Sequence, residues 1–264
     1  MTINTLLLQH ITAKQPLNRL DNTFVLQKTD SYLQQNPAVT KKLLQHEEKT
    51  LHKSALFKKT VKEIRNDLNR VYGTFWKKTI QTLRDHQSTK ERMLIYPVLY
   101  KKIFVLTGIP TSILDLGSGL NPLSYPYMHG FHGIYTAIEL STNDCQQLQT
   151  LVNNAPFPIT VRQGNILNDP LPSADMCFLF KILDLLDTKG HKKAEILLQK
   201  IHAKYIIVSF STTTLRNQPM RHPARGWIEQ LLRRIGYSFT TLEFANEIFY
   251  IIKKSDSTMK PRTV

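Results

Sequence analysis

A chain of 264 residues, 41% of them hydrophobic, can build one large domain or an ordinary domain with an appendage, and wholesale disorder is excluded. Its longest apolar runs, such as IYTAI and YIIVSF, are far too short to span a bilayer. The formal net charge of +15 is uneven: residues 1–110 hold 19 Lys/Arg against 8 Asp/Glu (+11) and residues 111–264 hold 16 against 12 (+4), which points the first half at a polyanionic partner.

The opening MTINTLLLQHITAK has a short apolar patch but neither a basic start nor a small-residue cleavage site, so it reads as the first turns of a helix. No aromatic-studded amphipathic segment is present to insert into a membrane surface. The two cysteines, Cys145 and Cys177, give no disulfide framework and no metal-ligand spacing. A reducing cytoplasm is the expected setting, and no metal is expected.

Residues 1–105 carry a helical pattern. Gly73 is the only glycine before Gly108, and apolar residues recur three or four apart with Lys-rich faces between them. Pro16 and Pro37 break the pattern into several helices. Lys41, Lys42, Lys53, Lys58, Lys59 and Lys62 are each more often solvated than bound. Together, several of them could neutralise phosphates. Phe75 and Trp76 are expected at the interface between the two regions, and His86 to cap or pack.

From residue 111 short β-rich runs alternate with helical patterns. The expected strands are 112–117, 134–140, 159–164, 175–180, 205–210, 237–244 and 247–254. Helical segments between the first five fit parallel crossovers, whereas only Ala245 and Asn246 separate the last two, which makes them an antiparallel hairpin at the sheet edge. That order is the seven-stranded, Rossmann-like sheet of class I methyltransferases, preceded here by an all-helical domain. The expected domains are 1–105 (helical, basic, RNA-docking) and 106–254 (methyltransferase), with a disordered polar tail over 255–264.

The first strand runs into a glycine turn in TSILDLGSGLNPL (111–123), which lets backbone approach a ligand closely. A phosphate cradle of the G-x-G-x-x-G type would want a third glycine where Pro122 stands, and no Walker-type Lys follows. Asp115-x-Gly117-Ser118-Gly119 suits S-adenosylmethionine (SAM) better. Glu139, at the end of the second strand, is placed to accept from the two ribose hydroxyls, although strand-end surface glutamates are common. Lys181 ends the fourth strand, on the side of the sheet where ligands bind in this fold.

Other residues carry a family resemblance. HQSTKER (86–92) resembles the H-x-S-T-x-E-R signature of the Arm/Rmt aminoglycoside-resistance methyltransferases. GSGLNPL (117–123) is similar to that family's glycine loop, FLFKILDLLD (178–187) to its fourth-strand segment, VSFSTTTL (208–215) to a following stretch, and NEIFYIIKK (246–254) to its closing strand. The matches lie in order from about residue 68 to 254. The resemblance implies a SAM-dependent enzyme that methylates N7 of a guanine (1405-type) in the decoding site of 16S ribosomal RNA, within the assembled 30S subunit, acting as a monomer. It also implies that the helical domain docks on rRNA, with Arg216 and Arg221 adding to the contact. Arg92 would hold the SAM carboxylate, Glu139 the ribose, and Asn165 with Ile166 the adenine, Asn165 standing where the family has aspartate. Lys181 and Asp187 would position cofactor and target, Asp187 replacing a glutamate. The chain departs from the family at Ser211, where proline is usual, and over 216–227, where Met220 and Trp227 align.

Attack by N7 of guanine needs no general base, since the nitrogen carries a lone pair and no proton at neutral pH, so no catalytic acid or base is expected. Two readings compete. One is a methyltransferase acting on another RNA site, a tRNA or a small molecule. The other is a noncatalytic RNA-binding or ribosome-assembly factor with a relic Rossmann domain.

Overall fold

The structure, a computed structural model, describes residues 2–46, 48–71, 87–153, 155–186, 190–213, 220 and 224–254. The chain forms two compact units, residues 1–78 with 140–144, and residues 79–139 with 145–264.

In the first unit helices run over Ile3–Thr12 (α1), Asn22–Gln35 (α2), Pro37–Leu44 (α3), Glu48–Leu51 (α4) and Ala55–Val71 (α5). Their starts are written in the local sequence. The Thr2 hydroxyl accepts from Thr5 N ahead of α1, and the Asp21 carboxylate accepts from Thr23 N and Phe24 N ahead of α2. Pro37 opens α3, where its missing N–H costs nothing. On α5, Phe57, Val61, Ile64 and Leu68 fall at helical spacing and are buried. Lys58, Lys59 and Lys62 consequently lie on the solvent side, and Lys41, Lys42 and Lys53 are exposed as well.

The second unit holds α6 (Gln87–Arg92), α7 (Tyr96–Thr107) and a seven-stranded sheet. The strands are β1 (Ser112–Leu116), β2 (Ile134–Glu139), β3 (Ile159–Gln163), β4 (Ala174–Phe180), β5 (Ala203–Ser211), β6 (Ser238–Phe244) and β7 (Glu247–Lys253). They lie in the order β3-β2-β1-β4-β5-β7-β6, with β1 to β5 parallel and β7 antiparallel to both neighbours. The order reverses between β1 and β4, which opens a crevice at the carboxyl ends of the strands. Helices α8 (Thr142–Asn153, in this unit from Cys145), α9 (Leu183–Leu186), α10 (Lys192–Lys200) and α11 (Gly226–Arg234) complete the unit.

Alternation along the strands sorts side chains into two cores. Leu114, Leu116, Leu179 and Val208 join Leu197 of α10 and Leu232 of α11, while Ile113, Phe178 and Ile207 join Tyr100 of α7 and Leu148 of α8. This places the domain boundary differently from the expected residue 105. Tyr96, Leu99, Tyr100 and Ile103 of α7 are fully buried in the second of these cores, so α7 belongs to the sheet unit, and the division falls after Lys78.

Two of the four expected α-helical crossovers take another form. A 3₁₀ helix over Asn121–Tyr127, carrying Pro122 and Pro126, follows β1, and residues 164–173 join β3 to β4 without a helix, Pro170 and Pro172 depriving that segment of two N–H donors. The N-terminal end of the sheet is tight at Gly133, where a Cβ would lie 2.0 Å from the Thr111 carbonyl oxygen. Gly133→Ala is expected to destabilise the protein by about 2 kcal/mol through this backbone clash. Denaturant unfolding reads it, and an unchanged midpoint would refute it.

Candidate active site

The glycine turn folds back onto the end of β2. Gly117 (φ +64°) donates to the Ile138 carbonyl at 2.8 Å, and Gly119 donates to Oε1 of Glu139 at 2.5 Å. A side chain at Gly117 would have to occupy space held by Ile182, whose Cδ1 lies 2.5 Å from where a Cβ would be. Turn and ribose candidate are therefore one assembly, the backbone fixing one oxygen of the carboxylate. Ser118 Oγ is buried with no hydrogen-bond partner.

Asp115 faces the α7 side and sits at the centre of a buried polar network. Its Oδ2 accepts from the Tyr135 hydroxyl (2.5 Å) and from Asn121 Nδ2 (2.9 Å). Asn121 Oδ1 in turn accepts from the Tyr96 hydroxyl (2.9 Å), and Ser124 Oγ donates to the Asn121 carbonyl (2.6 Å). The Asn-Pro after the glycines thus ties the turn to α7. Asp115 props the turn from below, through these bonds.

Arg92 is 1% exposed, far from the helix-surface position its charge suggests. Its Nε lies 2.9 Å from both oxygens of Glu247, itself fully buried, and the guanidinium stands over the Phe180 ring at 4.8 Å. Burial works against the Arg92 charge, but the Glu247 carboxylate and the Tyr96 hydroxyl more than offset it and hold the guanidinium ionised. One nitrogen, Nη2, is buried with no partner. Lys181 adopts a left-handed backbone conformation (φ +60°), its N–H donating to the Ser209 carbonyl at 3.0 Å and Oγ at 3.1 Å. Its ammonium lies 2.5 Å from Glu91 and 3.4 Å from Glu247. Arg92, Glu247, Lys181 and Glu91 alternate in sign along one chain, which is buried at Arg92 and Glu247 and partly exposed at Lys181 and Glu91.

Asn165 spends its amide oxygen on Leu167 N (3.1 Å), and its own N–H donates to Asp169 Oδ2 (2.7 Å). Lys200 draws together the carbonyls of Ile166, Leu167 and Asp169 at 3.2, 3.0 and 2.5 Å, so the segment after β3 is held firmly. Trp227 stacks on His191, with centroids 3.8 Å apart. His86, Asp187, Arg216 and Arg221, like Phe75 and Trp76, lie outside the described residues. Among the described residues no cluster of three or more His, Cys, Asp or Glu could hold a metal, and no helix is long and apolar enough to cross a membrane.

Sequence reading missed Glu247, Glu91 and Tyr96. Glu247 had a visible signal: a lone carboxylate opens the apolar run EIFYII, and an interior strand buried on both faces tolerates a charge only with a partner. The partner, 155 residues earlier, had none.

Burial lifts the Asp115 pKa from 3.8 to about 6, against the lowering effect of its hydrogen bonds from Tyr135 and Asn121 and of the Arg92 charge. A carboxyl that ionises later in the folded state than in the unfolded one favours folding below pH 4, and that contribution is lost as pH rises through about 6. The stability of the wild type relative to Asp115→Asn is therefore expected to fall between pH 4 and pH 8. Paired denaturant titrations at both ends check it, and a constant difference would contradict the assignment.

Comparison with known proteins places the chain. Residues 59–251 match the family described as ribosomal RNA methyltransferase (FmrO). A 16S rRNA (guanine(1405)-N(7))-methyltransferase of Proteus mirabilis is 32% identical over 190 residues, covering 69% of this chain and 68% of that protein. A protein of the same name from Frankia casuarinae is 25% identical over 179 residues, covering 66% and 63%. In fold, the 16S rRNA methylase RmtB superposes with a TM-score of 0.74 at 22% identity, covering 96% of this chain and 98% of that one. The 16S rRNA methyltransferase RmtF, solved with S-adenosyl-L-homocysteine, gives 0.75 at 18% identity, covering 97% and 100%. The sheet is thus that of class I SAM-dependent methyltransferases, and the chain belongs to the FmrO family of ribosomal RNA methyltransferases.

Proposed function

We propose that this protein transfers a methyl group from SAM to N7 of the 1405-type guanine in the decoding site of 16S rRNA, within the 30S subunit, and so confers aminoglycoside resistance. The observation that carries the reading is the pair of unpartnered buried polar atoms flanking the β1–β4 switch point. Arg92 Nη2 stands beside Phe180 at the end of β4, and Ser118 Oγ lies just past β1. Buried donors left open in this way call for a ligand with anionic and polar groups. SAM has an α-carboxylate for Arg92, ribose hydroxyls for Glu139 and a purine for the Asn165–Ile166 segment. Gly117 and Gly119 keep the turn low enough for it to pass. Asp115 supports the turn, and Lys181 bounds the methyl-transfer side, with Asp187 read as a second positioning residue.

Bound SAM supplies an electrophilic methyl group on its sulfonium. The protein's share is alignment, because N7 presents a lone pair without losing a proton. Arg92 is held by Glu247 through Nε, which leaves its outer nitrogen aimed and charged. The methylated guanine carries a positive charge, which repels a cationic aminoglycoside and removes an acceptor from its site.

The exposed Lys41, Lys42, Lys53, Lys58, Lys59 and Lys62, with Arg216 and Arg221, supply the charge for docking on rRNA. The helical unit is read as the docking domain and the sheet unit as the methyltransferase domain, with a polar tail behind. A monomer in the cytoplasm suffices for this work. A relic without catalysis fits less well, since Gly117, Gly119, Glu139 and Arg92 are all present and the open donors remain.

The decisive test is methyl transfer from labelled SAM to purified 30S subunits, with the modified base mapped by primer extension after N7-specific cleavage. A stop at the decoding-site guanine is expected; methylation elsewhere would overturn the target, and absence of SAM binding the enzyme class. Arg92→Lys, which loses the guanidinium fork, is expected to weaken SAM binding roughly 10- to 100-fold by calorimetry. An unchanged affinity would remove Arg92 from the cofactor site. For docking, the logarithm of 30S affinity against the logarithm of salt concentration should lose about one unit of slope for each of Lys58→Ala and Lys62→Ala that meets a phosphate. Unaltered slopes in both would place the contact on another face.

A further inference from the structure

The connection between β5 and α11 is closed at its neck. Thr212 donates its N–H to the Asn246 carbonyl at 3.0 Å, and Met220 N returns to the Thr212 carbonyl at 2.9 Å, so the chain leaves and re-enters at one point beyond the carboxyl end of β5. One side chain clasps that point. Arg225 Nη2 lies 3.1 Å from the Ser211 carbonyl, 3.5 Å from Met220 Sδ and 3.2 Å from Asp184 Oδ2, while its Nε donates to the same Asp184 oxygen at 3.2 Å. The guanidinium stands over the Phe210 ring at 5.5 Å, and the backbone N–H of Arg225 donates to the Tyr250 hydroxyl at 3.1 Å.

The place of this clasp gives it meaning. Of the cofactor candidates, Gly117, Ser118, Gly119 and Glu139 follow β1 and β2, on one flank of the switch point, while Arg92 and Lys181 stand at the end of β4. A methyl acceptor must approach in line with the leaving sulfur, on the reading above from the side that the segments after β4 and β5 bound. Asp184 belongs to the first of these segments, and Ser211 and Met220 to the second. Arg225 joins them. Its charge is spent on protein groups: the side chain is only 14% exposed, and its fork bridges a carboxylate, a carbonyl and a thioether at once.

We propose that Arg225 is a positioning residue for the acceptor base, locking the β4 and β5 segments into one wall of the acceptor side. The inference rests on the methyl-transfer reading above. A lysine at 225 keeps the charge but reaches one partner at a time. Arg225→Lys and Arg225→Met are therefore both expected to lower kcat for 30S methylation about 10- to 100-fold, since a displacement of about 1 Å in an aligned pair costs that much. The Kd for SAM should stay within about twofold of wild type, the KM for 30S within about threefold, and the salt slope of 30S affinity unchanged. Asp184→Asn, at a half-exposed position, should reproduce the kcat loss on a smaller scale, even if an Arg225 variant folds poorly.

Full kcat in Arg225→Lys would overturn the proposal by showing that charge alone suffices. A salt slope reduced by about one would instead make Arg225 a direct phosphate contact. A loss of SAM affinity parallel to the loss of kcat would reduce it to a general prop of the fold. Wild-type enzyme that leaves 30S unmethylated would defeat the functional reading itself, whereas active wild type with unaffected variants defeats only the role of Arg225.

Discussion

The site depends on one buried carboxylate. Glu247 stands at the start of an interior strand with no access to water, and both its oxygens meet Arg92 Nε at 2.9 Å while Lys181 approaches to 3.4 Å. Taking a carboxylate out of water costs several kcal/mol, and removing one partner of such a pair costs about 3–5 kcal/mol, so none of these groups is free to drift. The guanidinium is fixed at the end of β4, where the crevice opens. Lys181, pinned also by Glu91, keeps a left-handed backbone conformation that a lysine does not adopt without compulsion. Strain and buried charge coincide at the same strand end, where the chemistry is placed.

A second constraint comes from beneath the glycine turn. Asp115, Asn121, Tyr96 and Tyr135 satisfy one another in the apolar core between the sheet and α7. A polar network of this kind is stable only when its members are paired, so it fixes the turn in one position. Gly119 then bonds Glu139, and the two features that a nucleoside would meet move as a unit. Arg92 Nη2 and Ser118 Oγ are among the few buried side-chain polar atoms of the described residues left without a partner.

The two flanks of the switch point are built differently. On the β1–β3 flank, the Asp115 network and the Glu139 carboxylate hold the glycine turn, and the Lys200 ammonium gathers the carbonyls after β3. On the β4–β5 flank, side chains do the holding, with Arg225 at the centre and Trp227 stacked on His191 nearby. The second depends on a few residues in the stretch 216–227, one of the places where the sequence departs from the Arm/Rmt pattern.

Much of this was legible in order of residues alone. Strand positions followed from β-rich runs and their spacing, and the two-residue link at Ala245–Asn246 required an antiparallel closing pair, because period and loop length are local properties. The solvent side of α5 followed from the spacing of Phe57, Val61, Ile64 and Leu68 in the same way. The glycine turn and Glu139 were readable as a spacing. What local pattern could not decide was which way charged residues turn. Arg92 was marked as a cofactor residue only by the family resemblance, and no local pattern shows that it lies in the core, where Glu247 meets it from a strand 155 positions later. Asp115 shares the motif of the turn but faces α7, since strand alternation gives it the side of Ile113 and Tyr135 partners it there. Likewise, α7 reads as one more helix of the basic region and belongs to the sheet because its buried tyrosines pack on β1 and β4. Sequence determines periodicity and therefore the elements; pairing of buried charges is settled only when distant strands and helices meet, because the energy that decides it exists only once water has been excluded.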